Sequence, residues 1–200
     1  IVIVDYNTGN VDSLLKAVKI TNKSAHISNN KKDILNAKKL ILPGQGSFDY
    51  GMNQLESLEI KKTILDKVLN DHTPILGICL GMQLFGNYGY ENDLKTEGLN
   101  LIKGEIKKIP SKVKLPHIGW NEVKFVKKDK VFEKIKNKKD FYFVHSYYFD
   151  CLNKTDILAT TDYNFKFPSI VKKKNIYGFQ FHPEKSLTNG LNLLNNFLNI

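Results

Sequence analysis

PILGICLGMQLFG, residues 74–86, is almost wholly apolar, yet at its centre stands one cysteine, Cys79, with a glycine two residues before it and another two after. A buried strand has no use for that symmetry. TPILGI, residues 73–78, reads as a short buried strand, and CLGMQLFGNY, residues 79–88, as helical. Between them, G-x-C-x-G predicts an elbow. The strand enters a sharp turn, a helix leaves it, and the glycines relieve the crowding around a strained central residue. Such an elbow lifts the side chain out of the core at the carboxyl end of a strand, where α/β proteins bind ligands. It also sets the sulfur at a helix N-terminus, whose dipole favours thiolate over thiol. Backbone N–H groups of the same turn can receive an oxyanion. The plainer alternative is a small core cysteine in a glycine-rich turn.

On the N-terminal side, IVIVD (residues 1–5) is an apolar strand and NVDSLLKAVKI (10–20) has helical spacing. KLILPGQGSF (39–48) is a strand ending in a glycine loop, and SLEIKKTILDKVLN (57–70) an amphipathic helix. Strands alternating with helices imply a parallel sheet covered on both faces. Beyond Gly98 the texture changes to short strands with turn signals: LNLIKGEIKKIP, NEVKFV, DFYFVHSYYFD, DILATTDY, PSIVKKK and NIYGFQFHPE. NGLNLLNNFLNI (189–200) closes the chain as an amphipathic helix, and the lysine-rich run 127–140 reads as an exposed loop or helix. There is no internal repeat and no interdomain linker, so residues 1–200 are expected to form a single domain.

Composition narrows the function classes. The 200 residues are 42% hydrophobic, ordinary for a protein with a sizeable core. Two cysteines, Cys79 and Cys151, make no disulfide framework and fit a reduced, cytoplasmic setting. The start lacks the pattern of a signal peptide, and no run approaches the length of a membrane span. The formal charge of +10 raises nucleic acid as a partner, but the lysines are scattered among Asn and Asp and there is no arginine, the preferred base-reading side chain. A solvated basic surface is the simpler account; a phosphorylated small molecule or an acidic partner protein would use the same charge.

A thiol nucleophile needs a base, and the base an orienting group. Of His26, His72, His117, His145 and His182, the last stands out, because an apolar strand leads into GFQFHPEKS and Glu184 follows two residues later. On an extended chain i and i+2 face the same way, and Pro183 favours an extended His182. His182 and Glu184 can therefore enter one cleft; an exposed strand end with ordinary polar residues is the alternative. His145 sits in an aromatic strand and reads as structural, as does Cys151, which has no elbow around it. His26, His72 and His117 lack metal-ligand spacing, so no metal is expected. YNTGN lacks the full glycine-rich phosphate fingerprint and reads as a strand-to-helix turn.

GICLGMQ with a distant FHPE resembles the class I, triad-type glutamine amidotransferases. PHIGWN (116–121), YFVHSYY (142–148), DYNTGN, LPGQGSF, ATTDY and GFQFHPEKS are similar, more narrowly, to the glutaminase subunits of imidazole glycerol phosphate synthases of histidine biosynthesis. The resemblance spans nearly the whole chain. It implies a flavodoxin-like, three-layer α/β/α fold with a mixed, mainly parallel central sheet. It also implies hydrolysis of L-glutamine to glutamate and ammonia through a cysteinyl thioester, with no cofactor. Cys79 would be the nucleophile, His182 the general base and acid, and Glu184 its orienting group. The N–H of Leu80 would be one oxyanion donor and the loop 43–46 would supply the other at Gln45, which replaces the family's usual valine. Gly44, Gly46, Gln83, Ser146 and Tyr147 would meet the substrate. Trp120, Asn121, Tyr142 and Lys185 would meet a separate (β/α)8-barrel cyclase, with neither nucleic acid nor membrane as partner. That cyclase would use the ammonia to make imidazole glycerol phosphate and an aminoimidazole carboxamide nucleotide.

Three rivals stay open at this level. One is a paralogous glutaminase feeding another synthase, such as a sugar amidotransferase of surface-glycan synthesis. Another is a cysteine peptidase on the related fold, which HPE argues against. The third is a nucleic-acid-binding module, which would not need Cys79 and would show steep salt dependence.

Overall fold

The computed structural model describes residues 1–200 except 10, 22, 92 and 111. Asn10, which ends the DYNTGN stretch and begins NVDSLLKAVKI, lies outside the described residues. The apolar Val2–Val4 forms β1, and α1 (Val11–Ile20) buries Leu14, Ala17 and Val18 at helical spacing. Next come β2 (His26–Ser28), α2 (Lys31–Asn36), β3 (Leu40–Leu42), α3 (Phe48–Ser57), α4 (Lys61–Leu69) and β4 (Ile75–Ile78). The elbow leads into α5 (Leu80–Gln83), followed by β5 (Tyr88–Glu91), β6 (Leu94–Glu97), β7 (Gly104–Lys108) and β8 (His117–Phe125). Strands β9 (Lys139–His145), β10 (Tyr147–Cys151), β11 (Ile157–Asp162), β12 (Lys166–Lys173) and β13 (Ile176–Phe179) precede α6 (Leu187–Asn199).

Nine strands form the central sheet in the order β2-β1-β3-β4-β13-β12-β11-β8-β9. From β2 to β13 neighbours run parallel; from β13 to β9 they run antiparallel. The change follows connection length. β12 and β13 are joined by Lys174 and Asn175 alone, too few residues for the crossover that a parallel pair requires.

In the parallel half both faces are buried. Val2, Val4, Leu40 and Leu42 pack with Ile34, Met52, Leu55 and Ile64 of α2–α4, whereas Ile3, Ile41 and Leu76 pack with Leu14, Val18, Leu193 and Phe197 of α1 and α6. This two-faced burial makes the strands read as unbroken apolar runs and yields three layers. Each fully buried Val, Leu or Ile contributes about 1.5–3 kcal/mol, so strands of three residues suffice.

A second sheet, β10-β7-β5-β6, lies beside the first. DFYFVHSYYFD, one strand by its pattern, is divided between the two sheets: β9 pairs with β8, and after Ser146 the chain pairs with β7 as β10. The helix expected over residues 79–88 ends after Gln83. The carbonyls of Leu84, Phe85 and Gly86 accept instead from the N–H groups of Leu99, Leu101 and Asn100 at 2.8, 3.0 and 3.1 Å, so the bonds of a continuing helix go to another segment. The run 127–140 holds a 3-10 turn (Lys130–Phe132) that buries Val131 and Phe132. Among the described residues, no helix is long and apolar enough to cross a membrane.

Candidate active site

Cys79 follows β4 with φ 52° and ψ −109°, a conformation that L-residues rarely adopt. Its N–H donates to the Phe179 carbonyl at 2.8 Å, which ties the elbow to β13. The flanking glycines are needed because backbones meet there. A Cβ on Gly77 would lie 2.6 Å from the Gly81 backbone, and one on Gly81 would lie 1.8 Å from the Leu42 carbonyl oxygen. The elbow is therefore a three-way crossing of β3, β4 and α5, with the sulfur at the carboxyl end of the strand. With α5 a single turn, the macrodipole inferred from a longer helix is slight, and local groups dominate the sulfur's surroundings. The thiol donates to the Val144 carbonyl at 3.8 Å, and Nε2 of Gln180 approaches the sulfur, also at 3.8 Å.

His182 and Glu184 meet, though not by strand alternation. His182 is extended, with φ −96°, and Pro183–Lys185 is a 3-10 turn that folds Glu184 back. The His182 N–H donates to the Tyr142 carbonyl at 2.9 Å, and Ser186 Oγ donates to the His182 carbonyl at 2.6 Å, so β9 and the start of α6 hold the turn. Nδ1 of the buried imidazole donates to Oε1 of Glu184 at 2.8 Å. Nε2 is buried without a well-formed hydrogen bond and has the Cys79 sulfur as its electrostatic neighbour. Burial alone would push the imidazolium down. The sulfur's charge and hydrogen bonding, then the Glu184 carboxylate, outweigh it and raise His182 to about 10.

A cleft of about 250 Å³ opens beside the sulfur, lined by Gln45, Gly46, Cys79, Leu80, Gln83, Val144, His145, Ser146 and Tyr147. Gly44 lies behind it with His182 and Glu184, around a much smaller cavity. Both oxyanion-donor candidates are already engaged. The N–H of Leu80 donates to the Gly44 carbonyl at 3.3 Å, and the N–H of Gln45 to the Thr8 carbonyl at 3.1 Å. Gly44 C=O and Gln45 N–H belong to one peptide, so a single flip of that peptide would release Leu80 and turn the Gln45 N–H round together. Tyr6, fully buried, donates its hydroxyl to the Pro43 carbonyl and anchors the loop from below.

Gln83 donates Nε2 to the Tyr147 carbonyl and to Oε1 of Gln180, both at 3.1 Å. His145 lines the cleft, with Nδ1 donating to the Tyr147 carbonyl at 2.8 Å and Nε2 facing Nδ1 of His117 at 2.9 Å. That pattern makes His145 Nε2 the acceptor and His117 Nδ1 the donor. Burial pushes His145 down to about 3 and His117 to about 4, so both are neutral at pH 7 and His145 is a brace rather than a base. Sequence reasoning missed Gln180 and the His117–His145 contact. A polar residue between Phe179 and Phe181 in a buried strand was the one available signal for Gln180. Cys151 lies elsewhere, its thiol pushed up to about 11 chiefly by burial. Among the described residues, no three His, Cys, Asp or Glu side chains gather as a metal-binding group.

At the sheet edge, Trp120 and Tyr142 are register partners with ring centroids 6.0 Å apart, and Nζ of Lys185 lies 5.9 Å from the Tyr142 ring. Trp120 is 49% exposed and Ile118 59%, which makes this an apolar patch with a cation at its margin. Asn121 is set on the opposite face of β8, where Nδ2 meets Nε2 of His117 at 3.3 Å and the Asp162 carbonyl at 3.0 Å.

Residues 2–200 match the family described as Glutamine amidotransferase class-I. The chain is 44% identical over 207 residues to the imidazole glycerol phosphate synthase subunit HisH of Pelagibacter ubique, covering 100% of this chain and 99% of the relative. It is 46% identical over 198 residues to the protein of Methanococcus maripaludis called imidazole glycerol phosphate synthase subunit HisH 2, covering 99% and 98%. A solved structure titled as a glutamine amidotransferase superposes with a TM-score of 0.75 at 18% identity, covering 99% of this chain and 97% of that one, a likeness of fold.

Proposed function

The chain belongs to the class-I glutamine amidotransferase family, and from that membership we propose the chemistry of its cleft and its place in a larger enzyme. It is a glutaminase, the subunit of imidazole glycerol phosphate synthase that supplies ammonia in histidine biosynthesis. Full-length similarity to proteins of that name favours this acceptor over a sugar amidotransferase. Residues 1–200 act as one amidotransferase domain. The partner is a separate cyclase of (β/α)8-barrel form, docked on Trp120, Tyr142 and Lys185, with Asn121 reached from the inner side of β8.

The observation that carries the reading is a strained Cys79 beside a buried His182–Glu184 pair. The Cys79 sulfur attacks the side-chain amide carbon of glutamine, and the carbonyl oxygen takes the electron pair as an oxyanion. Leu80 and Gln45 N–H groups bind that oxyanion after the loop flips. The oxyanion collapses, the C–N bond breaks, and His182 hands its Nε2 proton to the departing ammonia. A thioester remains. Water attacks the thioester carbon with His182 taking its proton, the C–S bond breaks to return the Cys79 thiolate, and glutamate leaves. Gln83 and the backbone at Ser146 and Tyr147 orient the substrate.

The test uses glutamine labelled with ¹⁵N at the amide, the chain, and the cyclase encoded in the same genome. Label is expected in the imidazole ring of the product; label appearing only as free ammonia, with no product, would reject the assigned acceptor.

The triad roles have their own test. His182→Ala should lose more activity than Glu184→Gln, because the base carries the proton and the orienting group only biases tautomer and position. With His182 raised to about 10, the imidazolium and the stability linked to it are fully present below the ordinary histidine value and are lost as pH rises through about 10. The alkaline limb of glutamate release should therefore fall near that pH. In Glu184→Gln it should move downward, because one group favouring the cation is gone. An unmoved limb, or the larger loss in Glu184→Gln, would reverse the assignment.

A further inference from the structure

Gln180 stands between the sulfur and the Gln83 amide. It is fully buried, immediately after β13 and two residues before His182. Its backbone N–H donates to the Ser169 carbonyl at 2.9 Å, which fixes where the side chain begins. Both ends of its amide are used: Oε1 accepts from Nε2 of Gln83 at 3.1 Å, and Nε2 lies 3.8 Å from the Cys79 sulfur. This orientation is forced. Gln83 also donates to the Tyr147 carbonyl, which can only accept, so Gln83 presents its NH₂ group. The end of Gln180 facing Gln83 must be oxygen, and the end facing the sulfur must be NH₂.

We propose that Gln180 is a positioning residue for the nucleophile: its amide N–H holds the Cys79 thiolate, and its carbonyl holds Gln83 at a set distance from the same sulfur. The proposal rests on Cys79 being the nucleophile. A hydrogen-bond donor favours an anion over its neutral acid. The Val144 carbonyl, which accepts a hydrogen bond from the thiol, cannot do this because it only accepts. Packing alone does not call for an amide here, since Phe179 and Phe181 fill the flanking positions. His182 and Tyr6 both interact electrostatically with the sulfur, His145 lines the same cleft, and all three stay unchanged in the test.

Gln180→Glu keeps shape and the acceptor for Gln83 but sets a carboxyl oxygen against the sulfur. Gln180→Met removes both polar ends at similar length. The readout is the rate of Cys79 alkylation by iodoacetamide in the full chain, followed by mass spectrometry of the Cys79 peptide as a function of pH. At neutral pH the rate should fall about tenfold in Gln180→Glu and several-fold in Gln180→Met, and recover as pH rises, because the thiolate is the reacting species. A purely structural role would change thermal melting and leave this pH profile in place. If Gln180→Glu does not fold, Gln180→Met decides, and a wild-type alkylation profile in that folded variant overturns the proposal. A shifted profile in the variants, together with a wild-type chain that hydrolyses no glutamine even with its partner, would sink the glutaminase reading while upholding the link between Gln180 and the sulfur.

Discussion

Cys79→Ser is expected to abolish glutamine hydrolysis, a loss on the order of 10⁶-fold, in a chain that melts as the parent does. Serine fills nearly the same volume at φ 52° and leaves the Gly77 and Gly81 contacts untouched. It lacks an anion that His182 could stabilise at neutral pH. An electrophilic glutamine analogue, an epoxide or diazoketone, should label Cys79 and spare Cys151. The Cys151 thiol is pushed up to about 11, so roughly one in ten thousand molecules carries the thiolate at pH 7. Cys151 also lies outside the cleft formed by Cys79, Gln83 and Tyr147. Labelling of Cys151 in preference, or an active folded Cys79→Ser, would remove the nucleophile assignment.

The second large effect is partner dependence. The chain alone should hydrolyse glutamine poorly, and the cyclase with its nucleotide bound should raise the rate by orders of magnitude. The reason lies in where two N–H groups point. Leu80 donates to Gly44 and Gln45 donates to Thr8, so neither is turned to the oxyanion. A missing donor costs roughly 100- to 1000-fold in turnover, and here both candidates change state with one peptide. The flip turns ψ of Gly44 and φ of Gln45, and at Gly44 no side chain resists the change. A partner docked on Trp120, Tyr142 and Lys185 would press on the segments that carry His182 and Glu184: the Tyr142 carbonyl accepts from the His182 N–H, and the Tyr142 N–H donates to the Ser186 hydroxyl oxygen. The measurement is steady-state glutamate release by the pure chain, then with partner, then with partner and nucleotide. Full activity in the pure chain, unchanged by either addition, would exclude this coupling and reopen the free-standing amidase and peptidase readings.

Much of this was legible in the sequence, for local reasons. The strain at Cys79, the glycines that permit it, and the closeness of His182 to Glu184 all involve residues within a few positions of one another. Their spacing encodes a backbone shape. Two-sided burial likewise shows as unbroken apolar runs, which is why β1, β3 and β4 could be recognised although each has three or four residues. The hairpin of β5 and β6 was missed because its residues are mostly exposed or half-buried, and its pattern carries no apolar run.

Only the tertiary structure decided the rest, because the deciding contacts join residues far apart in the chain. Gln83 and Gln180 are 97 positions apart, and Cys79 and Val144 are 65 apart. No local periodicity sets such pairings; the order of strands in the sheet does. The break at Ser146 is of the same kind. A seven-residue strand and a five-residue strand run on without a sequence signal between them, and they part because β8 and β7 offer hydrogen-bond partners in two different sheets. So too with the two engaged N–H groups that are candidate oxyanion donors: the resemblance pointed to those backbone groups, but a peptide's direction depends on which carbonyl lies opposite it, and here those are Gly44 and Thr8.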